Sequence, residues 1–111
     1  MASHPGLRRV SGRDCCRAEV PASALRHILE KHYDLAEHLG APGPGGLAAA
    51  LRRTLCSADE AHGDRYRRGV VYCLKRSGDY WVNIVVVDGV VKTAYLINAK
   101  TYRKFREKRW L

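Results

Sequence analysis

Large size and long apolar segments are the first features that this sequence lacks. With 111 residues the chain is far too short for a β/α-barrel of roughly 250 residues, and it suits one compact domain. No apolar stretch reaches the ~18 residues that a membrane-spanning helix needs. The basic N-terminus is not followed by the apolar segment of a secretory signal. We therefore expect a soluble, cytoplasmic protein.

Cysteines are few and have none of the usual metal-ligand spacings. The four cysteines are Cys15, Cys16, Cys56 and Cys73, and no two of them form a C-x-x-C pair. The adjacent Cys15 and Cys16 are badly placed to bridge each other or to bind one metal together. We expect reduced thiols, with Cys73 in the core of a strand. A zinc site built from distant cysteines and histidines is the alternative. The one disulfide worth testing is Cys56–Cys73, if the source is a hyperthermophile.

Familiar catalytic signatures are missing as well. The glycines of residues 43–46 follow a helical pattern and lack the Lys-Ser/Thr ending of a phosphate-binding loop. The predicted strands carry no paired carboxylates, which two-metal nucleases need. A mechanism without metal fits the sequence better, and we expect no cofactor.

Positive charge is present in excess, and it is confined to one half of the chain. Lys and Arg number 20 against 11 Asp and Glu, a net charge of +9. Residues 1–64 hold 8 basic and 8 acidic side chains, whereas residues 65–111 hold 12 basic and 3 acidic ones. Every aromatic residue except Tyr33 lies in this second half. Such a basic half indicates nucleic acid first and an anionic membrane surface second; we expect a nucleic acid and no membrane.

The first half of the chain predicts two helices. A helix-opening segment at residues 20–23 precedes apolar side chains spaced three and four residues apart up to Leu39. Residues 40–46, rich in glycine and proline, end that helix. A second helix is predicted over residues 47–57, followed by a polar loop over 59–64.

The second half changes to the period of β-strands. Residues 68–76, 80–87 and 90–98 are rich in β-branched and aromatic side chains. Asp88-Gly89 is typical of a two-residue type I′ hairpin. This turn predicts a register in which Thr93 faces Ile84 and Tyr95 faces Val82. Residues 99–110 predict a basic helix or an extended tail.

Together these elements predict an α+β fold. Two N-terminal helices pack on an antiparallel meander of three to four strands, followed by a basic C-terminal helix. Residues 1–17 are predicted to form a flexible arm, with a short edge strand near 15–20 as the alternative, and residues 18–111 form a single domain. The strands are apolar on both faces. We therefore predict that the sheet face not covered by the helices forms a homodimer interface.

Two histidines of the first predicted helix are candidates for acid–base chemistry. His27 and His32 are five residues apart, roughly 500° of helical rotation, so they should diverge by about 140° and cannot share one ligand. Either imidazole can exchange a proton near neutral pH. The plainer alternative is a pair of ordinary surface histidines.

The last strand carries two hydroxyl groups on one face. Thr93 and Tyr95 are two residues apart and therefore point the same way, so both can meet one ligand. Both are also good strand formers, which is the simpler explanation of their presence.

The basic half supplies candidates for phosphate and base binding. Guanidinium forks suit phosphates, and aromatic rings stack on unpaired bases. The predicted stacking residues are Tyr102, Phe105 and Trp110. The predicted phosphate-binding residues are Arg67, Arg68, Lys75, Arg76, Lys92, Lys100, Arg103, Lys104 and Arg106.

The order of these features resembles a known superfamily. A helix with His27 and His32, a break, a second helix, and a meander ending in VVKTAYLIN resemble the barnase–EndoU–colicin–RelE superfamily of small RNases, in its phage- and toxin-associated branch. The resemblance spans residues 20–104. It implies a nuclease-like domain that cleaves RNA without metal, by attack of the 2′-hydroxyl on the adjacent phosphodiester.

The resemblance also implies roles for particular residues. His32 matches the helix histidine of the family and is the first candidate for base or acid, with His27 second. Thr93 and Tyr95 match the strand hydroxyls that hold the scissile phosphate. The basic tail would bind flanking RNA, and an acidic antitoxin or immunity protein would be a partner. The alternatives are a non-catalytic RNA- or DNA-binding module of the same fold, and an interaction protein with an acidic partner.

Overall fold

A computed structural model describes residues 12–111, and the side chains from Asp14 onward. Residues 1–11, the larger part of the predicted arm, lie outside the described residues. The described part contains five helices and four strands. The helices are α1 (Gly12–Cys16), α2 (Ala22–Lys31), α3 (Tyr33–His38), α4 (Pro44–Cys56) and α5 (Ala99–Lys108). The strands are β1 (Glu60–Gly63), β2 (Val70–Ser77), β3 (Tyr80–Val87) and β4 (Val90–Asn98).

The predicted α+β class is confirmed. All four strands form one antiparallel sheet in the order β1-β2-β3-β4, which is a meander. The C-terminal basic segment is a helix, as one of the two alternatives predicted. No helix among residues 12–111 combines the length and the apolar character that a bilayer span requires.

The first predicted helix is interrupted at His32. This residue ends α2 and precedes α3, with φ −137° and ψ 47°, outside the helical region. Its N–H still donates to the Ile28 carbonyl, and its own carbonyl accepts from the Leu35 N–H. The chain therefore changes direction without a glycine or a proline, so the sequence carried no breaker signal.

The polar loop predicted over residues 59–64 contains β1, which forms the edge of the sheet beside β2. Its four residues, Glu-Ala-His-Gly, include no β-branched or aromatic strand former and end in glycine, so only pairing with β2 makes them a strand. The helix predicted from residue 47 begins earlier, at Pro44. Proline fits the first turn of a helix because its missing N–H would be unpaired there in any case.

The hairpin between β3 and β4 has the predicted turn. Asp88 and Gly89 both have positive φ, 50° and 81°, as a type I′ turn requires. The predicted register holds only for the first two pairs, Val87–Val90 and Val86–Val91.

A bulge at Lys92 then shifts the register by one residue. Val85 pairs with Thr93 and Asn83 pairs with Tyr95, so the predicted partners Ile84 and Val82 are wrong. An extra residue moves all following side chains to the opposite face, because side chains alternate along a strand. Thr93 and Tyr95 therefore lie on the sheet face that α1–α4 do not cover.

Each face of the sheet has its own apolar core. Helices α1–α4 cover one face with aliphatic side chains, including Ile28, Leu47 and Leu51. The other face carries an aromatic core with α5 and the residues that follow it, including Tyr72, Tyr102 and Trp110. The face assigned to a homodimer interface is thus partly covered by the chain itself, and the homodimer stays a prediction.

Helix α5 folds back onto the sheet and is held there at both ends. The Asn98 side chain caps its first turn by accepting from the Thr101 N–H at 2.8 Å. The ring of Tyr102 stacks on Trp81 with centroids 4.4 Å apart, and its hydroxyl donates to Glu60 in β1. Trp110 stacks on His62 at 4.9 Å, and an isolated bridge pairs it with Asp64 beyond β1.

The expectation of reduced thiols is wrong. Cys15 is bonded to Cys73 and Cys16 to Cys56. The two adjacent cysteines reach different elements because α1 lies between α4 and β2. Residues 12–16, expected to belong to the flexible arm, are therefore a helix with two covalent attachments. The edge strand considered for residues 15–20 is reduced to one bridge between Glu19 and Val90.

The two disulfides are relevant to the predicted cytoplasmic location. Disulfides are typical of oxidising environments and rare in the cytosol of mesophiles. The cytoplasmic location stays a prediction, with this observation against it.

We expect Trp110→Ala to destabilise the protein by about 3–5 kcal/mol, because it empties a site in the aromatic core. Trp110 is 1% exposed. Urea unfolding measures the change, and Tyr66→Ala is the matched control because Tyr66 is 77% exposed. Equal midpoints for the two variants would contradict a core role for Trp110.

Candidate functional site

The break at His32 brings the two predicted histidines together. The ring centroids of His27 and His32 are 5.5 Å apart, with the rings inclined by 63°. The predicted divergence of about 140° assumed one continuous helix, and it is wrong because His32 lies outside α2. Both imidazoles can therefore act on one bound group.

Tyr95 extends this pair. Its ring centroid lies 5.4 Å from that of His32. β4 is an edge strand of the sheet, so a side chain at the α2–α3 junction can approach Tyr95 at that edge. His27, His32 and Tyr95, here called the His–Tyr cluster, form a continuous row of three proton-exchanging side chains.

Burial and charge assign different protonation states to two members of the cluster. Burial lowers the pKa of His32, the nearby His27 lowers it further, and Asp34 partly opposes both effects. Burial raises the pKa of Tyr95, against the positive charge of Arg109 and the Asn83 amide. Near pH 7 His32 is therefore a neutral imidazole that can accept a proton, and Tyr95 is a phenol that can donate one.

Polar atoms next to the cluster are buried without partners. Among the described residues, the two amide atoms of the Asn83 side chain make no hydrogen bond of ordinary geometry. The same is true of the Thr93 hydroxyl oxygen. Asn83 is the direct cross-strand neighbour of Tyr95, and Thr93 lies two residues before it. Buried polar groups are nearly always paired, so these atoms are an unsatisfied polar patch beneath the cluster.

Arg109 is the cation that acts on Tyr95, and sequence reasoning missed its role. It lies at the C-terminal end of α5, with its guanidinium carbon 4.6 Å from the centroid of the Phe105 ring. Its charge acts on the hydroxyls of both Tyr95 and Tyr72. In the sequence Arg109 is one basic residue among several, and only the fold-back of α5 distinguishes it.

The predicted phosphate-binding residues of β2 and its preceding loop do not gather around the cluster. Arg67 and Arg68 line a cavity of about 400 Å³ beside Arg17, at the end of the sheet where β2 begins. Lys75 lies 3.4 Å from the Asp59 carboxylate. The backbone N–H of Arg76 donates to the same carboxylate at 2.8 Å.

Arg67 belongs to a structural network around Asp64. This buried carboxylate accepts from the Tyr72 hydroxyl at 2.6 Å and from the N–H groups of Tyr66 and Arg67. Burial alone would raise the pKa of Asp64, but these bonds and the Arg67 charge outweigh it and lower the pKa. Burial and Asp64 raise the pKa of Tyr72 to about 12.

The remaining predicted cations form an exposed basic surface. Lys92 is exposed at the bulge of β4. Lys100, Arg103, Lys104 and Arg106 are all exposed on α5, so they are free to meet a polyanion.

The predicted base-stacking residues are largely part of the core. Tyr102 and Trp110 are buried against the sheet, so these two rings are not available to stack on bases. Phe105 is half-buried, with Arg109 over its ring. The pattern of aromatics among basic residues reflects an amphipathic helix, whose apolar side packs on the sheet.

An open groove of about 790 Å³ runs along the edge of β4 beside the cluster. Its walls include Tyr95, Tyr80 and Thr101, and the carboxylates of Asp34 and Glu37 lie on one side. The groove offers hydroxyl donors and carboxylate acceptors next to the cluster, whereas the cations lie on α5.

Comparison of the chain with protein-family models, with curated proteins and with solved structures finds no match.

We expect His32 to titrate below its ordinary pKa of 6.5, and its pKa to rise in His27→Ala. Removing His27 removes a positive charge that disfavours the imidazolium, whereas Asp34→Asn removes a favourable negative charge and should lower the pKa. NMR titration of the His32 ring protons measures both changes. A His32 pKa that does not move in His27→Ala would contradict the proximity of the two rings.

Proposed function

We propose that this protein is a metal-independent endoribonuclease. The observation that carries the proposal is the His–Tyr cluster, which places a neutral imidazole, a second imidazole and a phenol within one short row beside unpaired polar groups. Cleavage of RNA through its 2′-hydroxyl needs a base for that hydroxyl and an acid for the leaving oxygen. It also needs positive charge or hydrogen-bond donors near the phosphate.

His32 is the proposed general base. Its lowered pKa keeps the imidazole neutral, so it can take the proton as the 2′-oxygen attacks phosphorus. The 5′-oxygen leaves as the new bond forms, giving a 2′,3′-cyclic phosphate and a 5′-hydroxyl. His27 or Tyr95 supplies the proton to the leaving oxygen, since both lie beside His32.

Thr93 and Arg109 are the proposed phosphate-binding groups. Thr93 lies on the same sheet face as Tyr95, but its hydroxyl oxygen is buried, so a phosphate oxygen reaches it only when the side chains over it move aside. Arg109 adds the positive charge that compensates the charge of the transition state, because its guanidinium already acts on the Tyr95 hydroxyl. The earlier phosphate-binding predictions Arg67, Arg68, Lys75 and Arg76 stay predictions at positions away from the cluster. Arg67 and Lys75 lie near Asp64 and Asp59, and Arg76 binds Asp59 only through its backbone N–H.

RNA is the proposed polyanionic partner of the exposed face of α5. Lys100, Lys104 and Lys108 are four residues apart, about one turn of helix each, so they follow one side of α5. Contacts of this kind hold the nucleic acid backbone without reading its sequence, and they weaken with salt. A toxin role, with an acidic antitoxin or immunity partner for the same basic face, follows as part of the proposal.

A non-catalytic RNA-binding module is the second candidate. The observation that favours it is that the exposed cations of α5 do not depend on the His–Tyr cluster. The two proposals differ in whether His32 affects the covalent state of the RNA.

We expect the purified protein to cleave a labelled RNA in EDTA, and His32→Ala to slow cleavage by about 10²–10⁴-fold, the usual contribution of a general base. Tyr95→Phe should also slow cleavage. Tyr66→Phe is the matched control for Tyr95→Phe, because Tyr66 is 77% exposed in the loop before β2. Gel electrophoresis and mass spectrometry of the product ends measure the reaction.

Two outcomes separate the candidate functions. A 2′-O-methylated RNA of the same sequence should bind and remain intact, because its 2′-oxygen has no proton to lose. Tight, salt-sensitive binding of unmodified RNA without cleavage, equal in the wild type and His32→Ala, would exclude the nuclease and leave the binding module.

A further inference from the structure

The two disulfides of this protein lie in opposite environments although they begin at adjacent residues. Cys15 and Cys73 are 0% and 1% exposed, inside the aliphatic core. Cys16 and Cys56 are both exposed. A thiolate must reach a sulfur atom in line to exchange with it, so access limits the rate of exchange.

We propose that Cys16–Cys56 is a site of reversible thiol–disulfide exchange with a dithiol reductant, whereas Cys15–Cys73 is a permanent structural bridge. A thiolate of the dithiol attacks one sulfur of Cys16–Cys56, forming a mixed disulfide and releasing the other cysteine as a thiolate. The second thiol of the reductant then breaks the mixed disulfide. The protein gains two electrons and two protons as two thiols, and the dithiol becomes a disulfide. The proposal does not depend on ribonuclease activity.

The position of the exposed bridge gives its reduction a structural consequence. Cys16 is the last residue of α1 and Cys56 the last residue of α4. Their bond closes a loop with a sequence separation of 40 residues, which contains α2 and α3 and therefore His27 and His32. Opening this loop leaves those helices attached by packing and by the outer Cys15–Cys73 loop.

The buried bridge keeps the fold together in the reduced form. Cys15 holds α1 against β2 in the centre of the sheet, and a reductant reaches it only when the helical layer opens. We therefore expect selective reduction to yield a folded protein with a lower unfolding midpoint, because the shorter covalent loop no longer restricts the unfolded chain.

The test is a titration of the native, oxidised protein with dithiothreitol, followed by alkylation and tryptic mapping. Selective reduction predicts one alkyl group on the peptide of residues 54–65. It also predicts one alkyl group on residues 14–17, which stay disulfide-linked to residues 69–75. Alkylation at Cys56 should be at least about tenfold faster than at Cys73, and denaturant should abolish the difference.

Three results would overturn the proposal. They are alkylation of Cys73 in the same step as Cys56, resistance of all four cysteines until denaturant is added, and free thiols in the oxidised protein. The variant Cys16→Ser/Cys56→Ser is the second test. We expect it to fold and to show no alkylation after dithiothreitol treatment unless denaturant is added. Its unfolding midpoint should equal that of the selectively reduced wild type. A midpoint equal to that of the oxidised wild type would contradict the structural consequence.

Discussion

The bulge at Lys92 decides which side of the sheet carries the candidate site. Side chains alternate along a strand, so one extra residue in β4 moves every later side chain to the opposite face. Because of it, Thr93 and Tyr95 lie beside Asn83 on the α5 face. Without it, both side chains would lie in the aliphatic core beneath the helical layer.

The two sides of the basic helix α5 have different surroundings. The inner side of α5 supplies Tyr102 to the aromatic core, and Trp110 follows it there. The outer side presents lysines and arginines to solvent. Arg109 lies between the two sides, since its guanidinium lies over the Phe105 ring and its charge also acts on Tyr95. The contacts of Tyr102 with Glu60 and of Trp110 with Asp64 attach this segment to β1 and the residue after it, and thereby fix the position of Arg109.

The helical layer contributes to the site through its irregularity. A straight helix through residue 32 would separate the two imidazoles, whereas the non-helical backbone of His32 brings them within 5.5 Å. Its partial burial at the junction lowers the pKa of His32. The features that distinguish this site, the bulge and the helix break, are thus departures from regular secondary structure at its two sides.

Local patterns were sufficient to predict the α+β class, the Asp88-Gly89 turn, the three longer strands and the basic helix. Each of these depends on residues close in the chain: a two-residue turn, an alternation, or a three-to-four spacing. His27, His32, Thr93 and Tyr95 were named as candidates from their residue types and from a family resemblance, but their spacing predicted that the two histidines diverge, whereas their rings meet. The phosphate cations and stacking rings were not, because charge and aromaticity alone do not show which side of a helix packs.

By itself, then, the sequence determined the longer elements, the turn and the excess of charge in the second half. Only the tertiary structure decided α1, β1, the partners of each cysteine, the face of Thr93 and Tyr95, the meeting of the two histidines and the position of Arg109. The physical reason is that these depend on contacts between distant segments: α1 against β2 and α4, the α2–α3 junction against β4, and α5 against the sheet. A register shift of one residue or a backbone change at one histidine leaves no pattern in the sequence, yet each moves a functional side chain to a different place.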